Sequence, residues 1–267
     1  MKRRFSTVNR AAESAAAPAT SGCAGAFTLV ELLVVITILG VLAAIGLPKL
    51  STFGQSNAVV SATRQLLDDI AFARARAISS RSDVYLVFVA PGIVNFPTNG
   101  LTPAESTLFN SLLGGQYTTY ALFATRNVGD QPGSPTRRFL TSWKTLPPGT
   151  YIAAFKFNLA TNQLTEGVWG FESVTVPFPL ATSTNTFVLP CIGFDYQGRV
   201  KTQRDEVIPL ARGSIFPARD ASGQFIAQPA DVIDIPVNNW STNSTMWNHV
   251  YIDWLTGRAR VEHQEIQ

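Results

Sequence analysis

The feature that constrains this chain most is one apolar run near its start. Phe27–Leu47 reads FTLVELLVVITILGVLAAIGL, and only Thr28, Glu31, Thr37, Gly40 and Gly46 in it are not apolar. As a helix, at about 1.5 Å per residue, it spans roughly 30 Å, the thickness of a bilayer's hydrocarbon core. It is too long for the apolar region of an ordinary secretory signal, and no A-x-A site closes it. Ahead of it stand Lys2, Arg3, Arg4 and Arg10 with a single acid, Glu13. That asymmetry puts the N-terminus in the cytoplasm and everything after Leu47 across the membrane. The formal charge of +3 resides in the same stretch, because the 21 basic and 18 acidic residues of the whole become 17 and 17 without residues 1–26. The basic balance is therefore a property of a processed leader, and the remainder is neutral.

Glu31 is out of place in this run. An ionised carboxylate inside an apolar span costs about 2.5–3.5 kcal/mol by insertion scales. Two readings remain open on composition: the side chain snorkels to the headgroups, or it awaits a cationic partner.

These residues carry a resemblance. Ala26-Phe27-Thr28-Leu29-Val30-Glu31 resembles the prepilin peptidase site of type IV pilins and type II secretion pseudopilins. The resemblance implies cleavage between Ala26 and Phe27, N-methylation of Phe27, and Glu31 as the fifth mature residue. Pro48 then becomes the twenty-second, which also fits the family pattern. Ala26 departs from it, since glycine usually precedes the cut, and the leader of 26 residues is long. A cut after Gly25 would make Glu31 sixth and turn it by about 100° around the helix axis. In the family that glutamate meets the N-terminal ammonium of a neighbouring subunit during assembly. Electrostatics supports such pairing, because opposite charges attract strongly at low dielectric and an unpaired one is expensive there. The implied partners are prepilin peptidase, other pilin or pseudopilin subunits reached through the N-terminal helix, and the bacterial inner membrane. The implied location is a single pass with the C-terminal domain in the periplasm, then the pilus or pseudopilus.

Beyond the run, Pro48 predicts a kink or short break. Val59, Thr63, Leu66, Ile70, Ala73 and Ala77 then recur at spacings of three and four, one apolar stripe of a helix opposite Arg64, Asp68, Arg74 and Arg81. Asp68 and Asp69 read as a solvated face, not a catalytic dyad. From Asp83 the period changes to short β-branched and aromatic runs: 84–89, 117–123, 151–157, 186–189, 192–196, 231–235 and 250–255. Thr102-Pro103-Ala104-Glu105 has the spacing of a capping box, and Gly114 ends the short helix it opens. Residues 125–149 and 197–230 read as long loops. The expected fold class is α+β, a long N-terminal helix packed on an antiparallel β-sandwich-like domain. Its divisions are a leader (1–26), a membrane and assembly helix (27–48), an amphipathic continuation (49–81) and a globular β domain (82–267).

A second resemblance covers fewer than forty residues. Ala62–Val89 and the terminal Ile252–Val261 are similar to H-type minor pseudopilins and FimT-type minor pilins, the latter stretch through Gly257-Arg258-Ala259-Arg260. That element implies possible DNA contact by Arg258 and Arg260, which on one strand would share a face. Against it stand the neutral mature chain and Glu262 beside them. A DNA-binding minor pilin and a membrane-anchored binding β-sandwich are the alternatives to a structural filament subunit. For the last, the surface exposure of Trp143, Trp169, Trp240, Trp247 and Trp254 is the relevant clue.

Catalytic chemistry is not legible. No Walker loop, G-x-S-x-G elbow or G-x-G-x-x-G occurs, and Cys23, Cys191, His249 and His263 match no zinc spacing. Cys191 reads as a small buried hydrophobe and His249 as a packed histidine. Asp195, Asp205, Glu206 and Asp231 match no calcium loop. No enzyme activity, cofactor or metal is expected.

Overall fold

The computed structural model describes residues 28–127, 129–131, 133–165, 167–234 and 248–262, with the side chains of 43–57 and 234 outside the description. The leader, the cleavage position Ala26–Phe27 and the methylation residue Phe27 lie outside it. The chain divides into two compact units between Lys49 and Leu50.

Helix α1 (Leu29–Ser80) begins in the first unit. Thr28 opens it by accepting the backbone N–H of Glu31 on its Oγ1 at 3.2 Å. The helix runs on through Pro48, where a break was expected. Proline removes one N–H from the ladder, and the helix formers around it, Leu47, Lys49 and Leu50, sustain the turn on either side.

The second unit holds the rest of α1 and the sheets. After it come β1 (Val84–Phe88), a 3-10 turn over Pro91–Asn95, α2 (Pro103–Leu113), β2 (Thr119–Ala124), β3 (Arg138–Phe139), β4 (Lys144–Thr145) and β5 (Thr150–Ile152). Then follow α3 (Ala154–Asn158), a small hairpin of β6 (Leu164–Thr165) and β7 (Val168–Trp169), β8 (Glu172–Pro177) and β9 (Thr186–Phe194). The last are β10 (Glu206–Phe216), β11 (Asp231–Asp234), β12 (Asn248–Ile252) and β13 (Ala259–Glu262). One antiparallel sheet has the order β3-β2-β1-β9-β8 with β4 also on β2; the other has β11-β10-β12-β13 with β5 also on β10.

The apolar stripe of α1 decides how these sheets close. Leu66, Ile70, Ala73 and Ala77 are fully buried and share one core with residues of both sheets, among them Leu86, Leu122, Ile192, Ile208 and Val250. The α+β expectation holds to that extent, a helix followed by antiparallel sheets. The shared core, however, is built on the helix stripe. Alternate residues of β1 serve the opposite face: Val87 joins Ala121, Leu189 and Cys191 under α2 and Phe178. The centre of the first sheet, β1 with β2, is thus buried on both faces, which is why Val84–Val89 reads as continuously apolar.

Several expected boundaries change. The two runs 186–189 and 192–196 are one strand, because β1 pairs with β9 only from Cys191 and Pro190 lies just past that ladder. The run 151–157 ends as strand at Ile152 and turns into α3. The region 197–230, expected as a long loop, contains β10, an eleven-residue strand whose three strand partners accommodate Pro209 and Gly213 within it. Residues 125–149 likewise contribute β3 and β4. Strand β8 was not foreseen. The last run stops at Ile252, and Asp253–Arg258 forms a turn. Gly257 is required there: its φ is +61°, and a Cβ would stand 2.0 Å from the carbonyl oxygen of Gly198.

Candidate assembly site

The first unit offers an apolar lateral surface. Every side chain described between Thr28 and Leu42 is exposed, and eleven of them are large hydrophobes, from Val35 at 42% to Leu29 at 81%. Leaving a side chain of this kind in water forfeits about 1.5–3 kcal/mol relative to burying it. The polar groups of the stretch intrude little. The Thr37 hydroxyl donates to the Val34 carbonyl at 2.8 Å and so turns its hydrogen inward. Glu31 remains as the one charge of this stretch, in the first turn, where the partial positive charge of the helix N-terminus favours a carboxylate. Such a surface can do one thing chemically: pack against lipid or other apolar helices while presenting a single anion. Among the described residues no helix is long and apolar enough to cross a membrane. The span expected over 27–48 has described side chains only as far as Leu42, and Pro48 is placed by its backbone alone.

The other residues singled out from the sequence are dispersed over the second unit. Arg258 lies exposed in the turn before β13, so it does not share that strand with Arg260. Arg260 is engaged: its guanidinium donates to Glu262 at 2.7 Å and lies 4.3 Å from the centre of the Tyr251 ring. Cys191 is buried, and burial pushes its thiol up to about 12. His249 is buried on β12, and burial lowers its pKa, partly offset by Glu262. The acids weighed for calcium point to separate partners. Asp195 accepts from Arg199, Asp205 from Tyr251 and the Trp254 amide, and Glu206 from Lys156 and Arg204. No cluster of metal-binding side chains occurs among the described residues.

One reading is corrected. Asp68 is exposed, but Asp69 is buried. It accepts the Tyr120 hydroxyl at 2.7 Å and the Lys144 ammonium at 2.6 Å, tying α1 to β2 and β4. Gln65 adds a bond to the same hydroxyl at 2.9 Å. Burial, reinforced by the bond to Asp69, raises Tyr120 far above its ordinary value and keeps it a neutral donor. Asp69 lies three residues after Leu66 and one before Ile70, at the margin of the apolar stripe, and that spacing was the available signal.

Sequence reasoning also passed over two further anchors. Gln116, fully buried, donates to the carbonyls of Leu113 and Gln228 and accepts the Ala230 amide, holding the segment before β11. Lys156 on α3 is fully buried and meets Glu206 at 2.9 Å, the Trp169 carbonyl at 2.6 Å and the Phe171 ring at 4.5 Å.

Residues 23–47 match the family model of the prokaryotic N-terminal methylation motif. No curated protein and no solved structure matches the chain. The matched segment contains Ala26, Phe27 and Glu31 and includes the exposed apolar residues 28–42. By that motif the chain is type IV pilin-like at its N-terminus, similar to proteins whose leader prepilin peptidase removes.

Proposed function

We propose that the protein is a minor pseudopilin or minor pilin, a structural subunit of a type II secretion pseudopilus or a type IV pilus. The H-type group is the nearest reading of its sequence. Prepilin peptidase cuts between Ala26 and Phe27, and Phe27 is then N-methylated. The mature chain is held in the inner membrane by its N-terminal helix, with the globular unit in the periplasm, until it joins the filament. The observation that carries this reading is the overlap of the methylation motif with an apolar stretch of α1, residues 28–42, that bears one carboxylate, Glu31. Gly40 and Ala43 lie in the same run, small residues of the kind that let helices approach closely.

In this reading Glu31 sets the register by pairing with the N-terminal ammonium of a neighbouring subunit. The substitution Glu31→Val removes a charge from the apolar run, so membrane insertion stays intact or improves. Incorporation into sheared filaments or isolated tip complexes falls. Normal incorporation of the Glu31→Val protein would contradict the proposal.

A further inference from the structure

The second unit contains a cleft of about 610 Å³ between α2, the β3–β4 edge and the segment around Pro179. That volume lies within the range of small-molecule sites. Its chemistry is specific in one respect: no lining side chain carries a charge. A charged ligand would lose its hydration there without a counter-charge, so the site selects a neutral one.

The walls are aromatic and fixed. The Trp143 indole N–H donates to the Pro179 carbonyl at 3.2 Å, and its ring packs against Phe139 and Phe178 at centroid separations of 5.2 and 5.8 Å. Phe225 forms another wall, held from one side by the Arg219 guanidinium 3.9 Å from its ring centre. Gly114 makes room for that ring, since a Cβ at this position would come within 2.5 Å of it. Around these surfaces stand hydroxyls. Thr119 and Thr145 bond each other at 3.1 Å, and Thr141 accepts the Leu122 amide. Ser111 and Ser142 are exposed at the rim, placed to exchange hydrogen bonds with a ligand.

A ligand that matches rigid aromatic faces and a hydroxyl-bearing rim, without charge, has apolar C–H faces and equatorial hydroxyl edges. The geometry points to a binding site for a neutral saccharide of one to three pyranose units. The inference rests on the second unit alone and stands apart from the filament reading.

The test uses the full chain in a zwitterionic detergent that carries no sugar. Cellobiose, maltose and lactose are titrated separately, with glucuronate as the charged comparison, and binding is read by saturation-transfer NMR of the sugar and by tryptophan fluorescence. At least one of the three disaccharides binds saturably with Kd of about 1 mM or tighter, and glucuronate does not. Gly114→Val, which displaces Phe225, weakens that binding about tenfold. Ser142→Ala, an exposed substitution that leaves the fold intact, weakens it about fivefold, as loss of one hydrogen bond predicts. No saturable signal from any of the disaccharides, equal binding of glucuronate, or unchanged affinity in the Ser142→Ala protein would overturn the inference. Normal assembly alongside failed sugar binding would remove this inference and leave the filament reading in place.

Discussion

The pair Lys156–Glu206 allows a prediction whose magnitude follows from its surroundings. Both side chains are essentially without solvent, at 0% and 1% exposure, and their charged atoms are 2.9 Å apart. Removing one member of such a pair strands the other and costs about 3–5 kcal/mol. Glu206→Leu is the severe case, because Lys156 then keeps only the Trp169 carbonyl and the Phe171 ring. Lys156→Met is milder, at about 2–3 kcal/mol, because Glu206 retains Arg204 at 3.4 Å while the Trp169 carbonyl loses its donor. In the double variant neither Lys156 nor Glu206 is left stranded, and the residual cost, about 1–3 kcal/mol, is shared by that carbonyl and by Arg204, which loses its acceptor. The assay is urea unfolding of residues 50–267 followed by tryptophan fluorescence. With a slope of about 2–3 kcal/mol per molar urea, Glu206→Leu lowers the midpoint by about 1–2 M, and adding Lys156→Met recovers part of that loss. A double variant as unstable as the two single losses combined would refute the reasoning, since independent sites add.

Two further outcomes follow from buried polar groups. Burial holds His249 below the ordinary histidine value, so in the unfolded chain it protonates first on acidification. Stability therefore falls as pH drops from about 6.5 toward the folded value, and His249→Phe flattens that part of the curve, read by urea midpoints at stepped pH. The contribution of Glu105, held low by hydrogen bonds from Ser183 and Thr102, is lost at lower pH, below about 4, and persists in the variant. Asp69→Ala removes the acceptor of Tyr120 and Lys144 and lowers unfolding free energy by about 1.5–3 kcal/mol, whereas Asp68→Ala changes it by less than about 0.5.

What the sequence made legible was what a short window determines. The α1 stripe from Val59 to Ala77, the capping box at Thr102 and Glu105, and the stop at Gly114 all occur as written. They depend on neighbours three or four positions away. The misread elements depend on distant partners. Strand β10 is held by β5, β11 and β12, and those partners override the Pro209 and Gly213 within it. Asp69 looked like a twin of Asp68 until Tyr120, 51 positions on, came within hydrogen-bond reach. Lys156 meets a carboxylate 50 positions away, a pairing that no periodicity announces. For the assembly site the position is reversed. Its signal is the local register of Ala26, Phe27 and Glu31, legible without the fold, and the cleavage position lies outside the described residues.

That register is also where the account is most exposed. The full chain is expressed with a prepilin peptidase, and its intact mass is measured from the membrane fraction. The account predicts one product with the mass of residues 27–267 plus a single methyl group on Phe27. A retained leader would contradict processing, and a product beginning at Ala26 would contradict the placement of Glu31 on which the assembly mechanism depends.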